Sequence, residues 1–247
     1  MESGLEEQRG SGQLLQRAGR SACLALFLLI PGHTAAQATP DPFRVTTQEV
    51  GLWAGVAVVG LTALAVGQTD APGCGPCNRA DVPFFDRWAI THARALPEDA
   101  STALVLGLAG TASVALLRRG HAGWSDLRAL NESAGLAAVL ALVLKDATAR
   151  HRPWTFTTDA LMPDNGLRGG ARNSFPSGHV AVAAAVTTSL LLSRSVHPSP
   201  LLRAVAIGAV ALTGGLRIVA GRHFPSDAVA GAGLGVLSAV GVHAIRF

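Results

Sequence analysis

The chain has 247 residues, of which 49% are hydrophobic and only 15% charged, with a net charge of +4, 8 phenylalanines and no tyrosine. Soluble domains carry roughly a quarter charged residues, and the Ala, Val and Leu that dominate here give the aromatic layers of a β-sandwich little to build on. The basic excess has no lysine-rich blocks or interleaved aromatics, which excludes nucleic acid as a partner and points to basic loops beside a membrane and a pocket for an anion.

Residues 1–20 are polar, with Arg9, Arg17 and Arg20, and "SACLALFLLIPGHTAAQA" follows at 21–38. A short apolar run ending in small residues at Ala36-Gln37-Ala38 has the layout of a secretory signal peptide; an uncleaved anchor is the alternative. Residues 1–38 are therefore set apart as a leader or N-terminal anchor, and 39–247 as one helical domain. Six further apolar segments follow, at 50–67, 101–117, 133–144, 179–193, 201–219 and 228–245. No alternating pattern of useful length competes with them, so the fold class is all-α, a six-helix membrane bundle. Gly231 and Gly235 stand at the spacing that lets helices approach closely.

"RRGHAGWSDLR" at 118–128 and "SRSVHPSPLLR" at 193–203 are short and positive, which reads as cytoplasmic. The stretches 145–178 and 217–227 would then face the opposite side. A cleaved signal and six crossings predict the reverse, and one segment that does not fully span would reconcile the two. Trp88, Trp124 and Trp154 lie outside the apolar segments, where interfacial anchoring is the default. "CGPC" at 74–77 lacks the strand–turn–helix context of a thioredoxin motif and reads as a local disulfide, or as a pair bonded only under oxidising conditions.

Three pieces carry chemistry. In "KDATARHRP" Lys145 and Arg152 are seven residues apart, nearly two helical turns, and would share a face, with Pro153 ending the helix. In "NSFPSGHVAV" Ser177, Gly178 and His179 open an uncharged run, a natural place for a phosphate at a helix N-terminus. In "GLRIVAGRHFPSD" His223 and Asp227 are four apart, so one helix-like turn would bring the carboxylate to an imidazole nitrogen and leave the other nitrogen as nucleophile.

The ordered set, Lys-x6-Arg-Pro, Pro-Ser-Gly-His and Arg-x5-His-x3-Asp, resembles the signature of the type-2 phosphatidic-acid phosphatase and vanadium haloperoxidase superfamily. The likeness covers about residues 101–245, and Leu216 replaces the small residue often found before the third-motif arginine. The resemblance implies that Lys145, Arg152, Ser177, Gly178 and Arg217 bind the phosphate. It assigns His223 as nucleophile through a phosphohistidine, Asp227 as its orienting partner and His179 as proton donor to the leaving oxygen. It implies a metal-independent phosphatase without cofactor, acting on a phosphorylated lipid; the basic loops at 118–128 and 193–203 then put the site on the periplasmic or extracellular side of the inner membrane. A soluble periplasmic acid phosphatase, a vanadate-dependent haloperoxidase and a non-enzymatic anion-binding membrane subunit are the alternatives. No metal-ligand cluster remains once Asp227 has this role. His33, His92, His121, His151, His197 and His243 have no partner at a telling sequence distance and read as bystanders, with His151 a candidate to line the pocket.

Overall fold

The computed structural model describes residues 76–161 and 170–247, with Val50, Gly51, Ala54, Gly55, Val58 and Cys74 before them. The expected leader at 1–38 lies outside the described residues. Of the apolar segment at 50–67, the five described positions are helical. Five helices are described in full: α1 (Ala95–Leu117), α2 (His121–Thr148), α3 (Gly178–Leu192), α4 (Pro200–Val219) and α5 (Pro225–Arg246). Among the described residues there is no strand.

Among the described residues, four segments are long and apolar enough to cross a membrane, namely Ala95–Leu117, His121–Phe156, Pro200–Val219 and Pro225–Arg246. Their outer faces fit that use, with Leu106 and Val114 on α1, Leu201 and Ile207 on α4, and Val229 and Leu237 on α5 all exposed. The interior instead holds small and polar groups, including Ser101, Ser133, Ser189 and Thr213. An apolar exterior around a small-residue interior is how helices pack where lipid tails are the solvent.

α3 is the centre of the bundle and packs against all four other helices. Its 15 residues rise only about 22 Å, less than the roughly 30 Å of a hydrocarbon core. Buried by its neighbours, it does not need to match the bilayer. α5 lies on α3 through the two spaced glycines. A Cβ at Gly231 would stand 2.4 Å from the Ser177 carbonyl oxygen, and one at Gly235 would stand 2.1 Å from that of Ala181. Here the glycine spacing has its use in close packing.

The helix bounds correct two sequence expectations. The basic stretch at 118–128 is a loop only over 118–120, because α2 already begins at His121. Gly120, at φ +62°, makes the turn, and Gly123 has no room for a Cβ beside the Leu116 carbonyl. The charges there do not mark a loop; Asp126 accepts from the hydroxyls of Ser193 and Ser195 and ties this turn to the end of α3. Trp154 is not an interfacial anchor, since it is buried in the turn Pro153–Phe156, whereas Trp88 and Trp124 are exposed.

The helix ends sort into two sets. Arg94 at the start of α1 bonds Ala220 after α4, and Ser177 before α3 bonds Asp227 in the first turn of α5. These ends, with the last turn of α2, gather all three sequence motifs. The basic turns at 118–120 and 193–199 lie together at the other end, where Arg194 reaches the Phe247 carbonyl.

Candidate active site

Lys145 and Arg152 do not share a helical face. α2 stops at Thr148, Ala149 takes a left-handed conformation, and Arg152 is extended ahead of Pro153. The chain turns back at Ala149, and both cations still face the same imidazole. The charges of Lys145, Arg152 and Arg217 all act on His223 and on His179. Lys145 also lies over the start of α3, where a Cβ on Gly178 would be 3.7 Å from its Nζ.

Ser177 stands at the N-cap of α3 yet makes no capping bond. Its hydroxyl is buried and has no hydrogen-bond partner in the protein. A serine that served only as a cap would bond the exposed amides of the first turn. The Nε atoms of Arg152 and Arg217, and Nε2 of His223, are likewise buried without a partner. Buried donors and acceptors are rarely left unmet outside functional sites. Four such atoms come from the residues that the three motifs had singled out.

His223 is fully buried just before α5. Its Nδ1 is 2.6 Å from the Ser174 carbonyl oxygen but 3.9 Å from Asp227 Oδ2. The expected direct hydrogen bond from His223 to Asp227 is therefore not formed. A carbonyl can only accept, so Nδ1 carries the proton and Nε2 presents its lone pair. The carboxylate is engaged elsewhere: Oδ2 accepts from Ser174 Oγ at 2.6 Å and from the Phe224 amide at 2.7 Å, and Oδ1 accepts from Arg150. Asp227 thus sits at the third helical position and accepts from the amide of the N-cap residue of its own helix, Phe224. Burial first, then the charges of Lys145, Arg152 and Arg217, hold His223 well below the ordinary histidine range, against the favourable Ser174 carbonyl. These effects favour the neutral form of the imidazole.

His179 is half-buried on the first turn of α3, its Nε2 3.1 Å from Thr102 Oγ1. Beside it and Lys145 opens a groove of about 300 Å³ between α1, α2 and α3, walled by Val105, Leu106, Ala138 and Leu142.

Several contributors escaped the sequence reading. Glu98 is 3.5 Å from Arg217 and 2.6 Å from Arg222, Ser101 Oγ is 3.4 Å from Arg217, and Arg150 reaches Asp227. Arg150 and Arg222 lay within the motif stretches, where the neighbouring Arg152 and His223 hid their separate roles. His92 has a partner after all, Asp159 at 2.9 Å. His151 lies 3.6 Å from Cys77 Sγ, beside the Cys74–Cys77 disulfide and not in the groove. Among the described residues, Cys74, Cys77 and His151 make the one His, Cys, Asp or Glu cluster close enough to share a metal, and its sulfurs are bonded to each other.

A crystal structure of Aquifex aeolicus LpxE is similar at 22% identity, with a TM-score of 0.46, over 68% of this chain and 98% of that one. No curated protein matches the sequence. A family model described as the PAP2 superfamily matches residues 126–247. That stretch, just under half of the chain, holds Lys145, Arg152, Ser177, Gly178, His179, Arg217, His223 and Asp227, and over it the chain matches the PAP2 superfamily.

Proposed function

We propose that this protein is a metal-independent phosphatase that hydrolyses a phosphate ester or pyrophosphate on a membrane lipid through a phosphohistidine at His223. The observation that carries the reading is the buried His223 Nε2, which lacks a protein partner, in a ring on which the charges of Lys145, Arg152 and Arg217 act. The match of residues 126–247 to the PAP2 superfamily supports a phosphatase. The three cations, the Ser177 hydroxyl and the first amides of α3 supply fixed positive potential where charge spreads over the equatorial oxygens. Nε2 attacks phosphorus in line, the bond to the leaving oxygen breaks, and His179 delivers a proton to that oxygen. Water then attacks the phosphohistidine, with His179 taking its proton, and releases inorganic phosphate.

The apolar groove beside Lys145 and His179, on a bundle with an apolar exterior, favours a lipid over a soluble phosphoester. A channel or transporter subunit that only binds anions would need the cations but not an oriented, neutral imidazole. Purified protein in detergent should release phosphate from lipid phosphates and retain full activity in EDTA. Loss in EDTA with recovery on adding a divalent ion would overturn the metal-free mechanism.

A proton donor matters most when the departing oxygen is a poor leaving group. His179→Ala should therefore slow an alkyl phosphate by ~10²-fold or more and a nitrophenyl phosphate far less. Equal losses on the two substrates would reduce His179 to a binding group.

The basic turns at the far end support a site on the periplasmic or extracellular side of an inner membrane. Cysteines at Thr158, near the site, should react with an impermeant maleimide in intact bacterial cells, and cysteines at Arg119 only after lysis. Cys23, Cys74 and Cys77 would be replaced beforehand. The opposite labelling pattern would invert the topology.

A further inference from the structure

Arg150 sits between two fully buried carboxylates. Its Nη1 donates to Asp227 Oδ1 at 2.5 Å and to Ser226 Oγ at 2.7 Å, and its Nη2 donates to Asp86 Oδ2 at 2.8 Å. The guanidinium also lies 4.5 Å over the ring of Phe224, the residue between His223 and the first turn of α5. Asp86 comes from the segment before α1, outside the stretch that matches the family. It does more than neutralise Arg150, because it also accepts from the Ser226 amide and hydroxyl.

The contact between this network and the imidazole runs through one residue. Ser174 donates its hydroxyl to Asp227, offers its carbonyl to His223 Nδ1, and bonds the Arg150 carbonyl through its own amide. Arg150 therefore holds Ser174 twice, once by its backbone and once through Asp227. We infer that Asp86 and Arg150 are positioning residues for the His223 imidazole, acting through Asp227 and Ser174 to hold the Nδ1–H tautomer and aim Nε2. The kinetic consequence rests on the phosphatase reading above; the effect on the imidazole does not.

The fork geometry is what the role needs. A guanidinium can bridge two carboxylates with separate, directed donors, whereas a lysine supplies one compact charge. Released from Arg150, Asp227 can turn away from Ser174, and the carbonyl that locks the ring loses its tether. Displacement of a reacting group by about 1 Å can cost ~10²-fold in rate.

The test uses the full chain in detergent, with Asp86→Asn and, should that variant not fold, Arg150→Lys. Two readouts are taken on each: kcat and KM for a lipid phosphate, and the ¹⁵N shifts of His223, assigned from the spectrum of His223→Gln. The expected result is a kcat lower by ~10- to 10²-fold with KM changed less than about threefold. The loss should vanish when Asp86→Asn is placed in an Asp227→Asn background, because the two share one route. The ¹⁵N spectrum should pass from a single Nδ1–H tautomer in the parent to a mixture in the variant. If the parent hydrolyses no phosphoester, the phosphatase reading fails, and the ¹⁵N spectra still decide the positioning. An unchanged His223 tautomer in the folded variant, or a rate loss that adds in full to that of Asp227→Asn, overturns the proposal.

Discussion

Replacing His223 by alanine should leave no measurable phosphate release, a loss of at least ~10⁴-fold, because the covalent step has no substitute nucleophile. The ring is fully buried, so the alanine variant also carries a cavity; His223→Gln keeps more of the volume and serves as a control for folding. Phosphate release and circular dichroism on both variants check this together. Asp227→Asn should be severe but milder. A direct His–Asp bond would make the wrong tautomer the main damage, but here the Ser174 carbonyl sets the tautomer. The asparagine loses instead the charge opposite Arg150 and part of the hold on Ser174. Because burial and the three cations favour the neutral form of His223, mild acidification should not protonate the proposed nucleophile in the free protein. Any acid limb in the rate profile belongs to another group.

Arg217→Ala should lower kcat/KM by ~10²- to 10³-fold, the scale seen when one preorganised donor to a developing charge is removed. The side chain is buried at the end of α4, its Nε has no protein partner, and its ion pair with Glu98 is long at 3.5 Å. Glu98 keeps Arg222 as a close partner, so truncation does not strand a carboxylate. Vanadate gives a sensitive assay because its five-coordinate form resembles the transition state and a histidine can supply its axial ligand. It should inhibit the parent far more tightly than inorganic phosphate does, and about 10²-fold less tightly in Arg217→Ala. Equal inhibition of both proteins would remove Arg217 from the site. Vanadate binding with bromide oxidation on adding peroxide, and no phosphoester turnover, would favour haloperoxidase chemistry.

The motif residues were legible because chemistry confined them to short, ordered segments. Lys145, Arg152, Ser177, His179, Arg217 and His223 were singled out by type and spacing, and the fold brings the charges of Lys145, Arg152 and Arg217 to bear on His223 and His179. What stayed hidden depends on contacts across long sequence separations. Asp86 and Ser226 are 140 residues apart, and Glu98 and Arg217 are 119 apart, so no local pattern announces either pair. Helix periodicity misled where charge lay on a buried helix end. Asp126 looked like a loop residue until Ser193 and Ser195 supplied its partners. Spacing misled differently at His223 and Asp227. Four residues is the right separation for a helical contact, but the helix begins only at Pro225, which leaves the histidine outside it. Trp154 was hidden for a related reason: the turn after α2 folds inward, and sequence position cannot tell an inward turn from an outward one.

The central claim is that phosphate passes through His223 Nε2. Protein mixed with a ³²P-labelled lipid phosphate and quenched in alkali should carry label that survives base and is lost in acid, as a phosphohistidine does. Mass spectrometry should place that label on the peptide containing His223, and His223→Gln should carry none. Turnover that persists in folded His223→Gln, or label that maps to any other residue, would contradict the account.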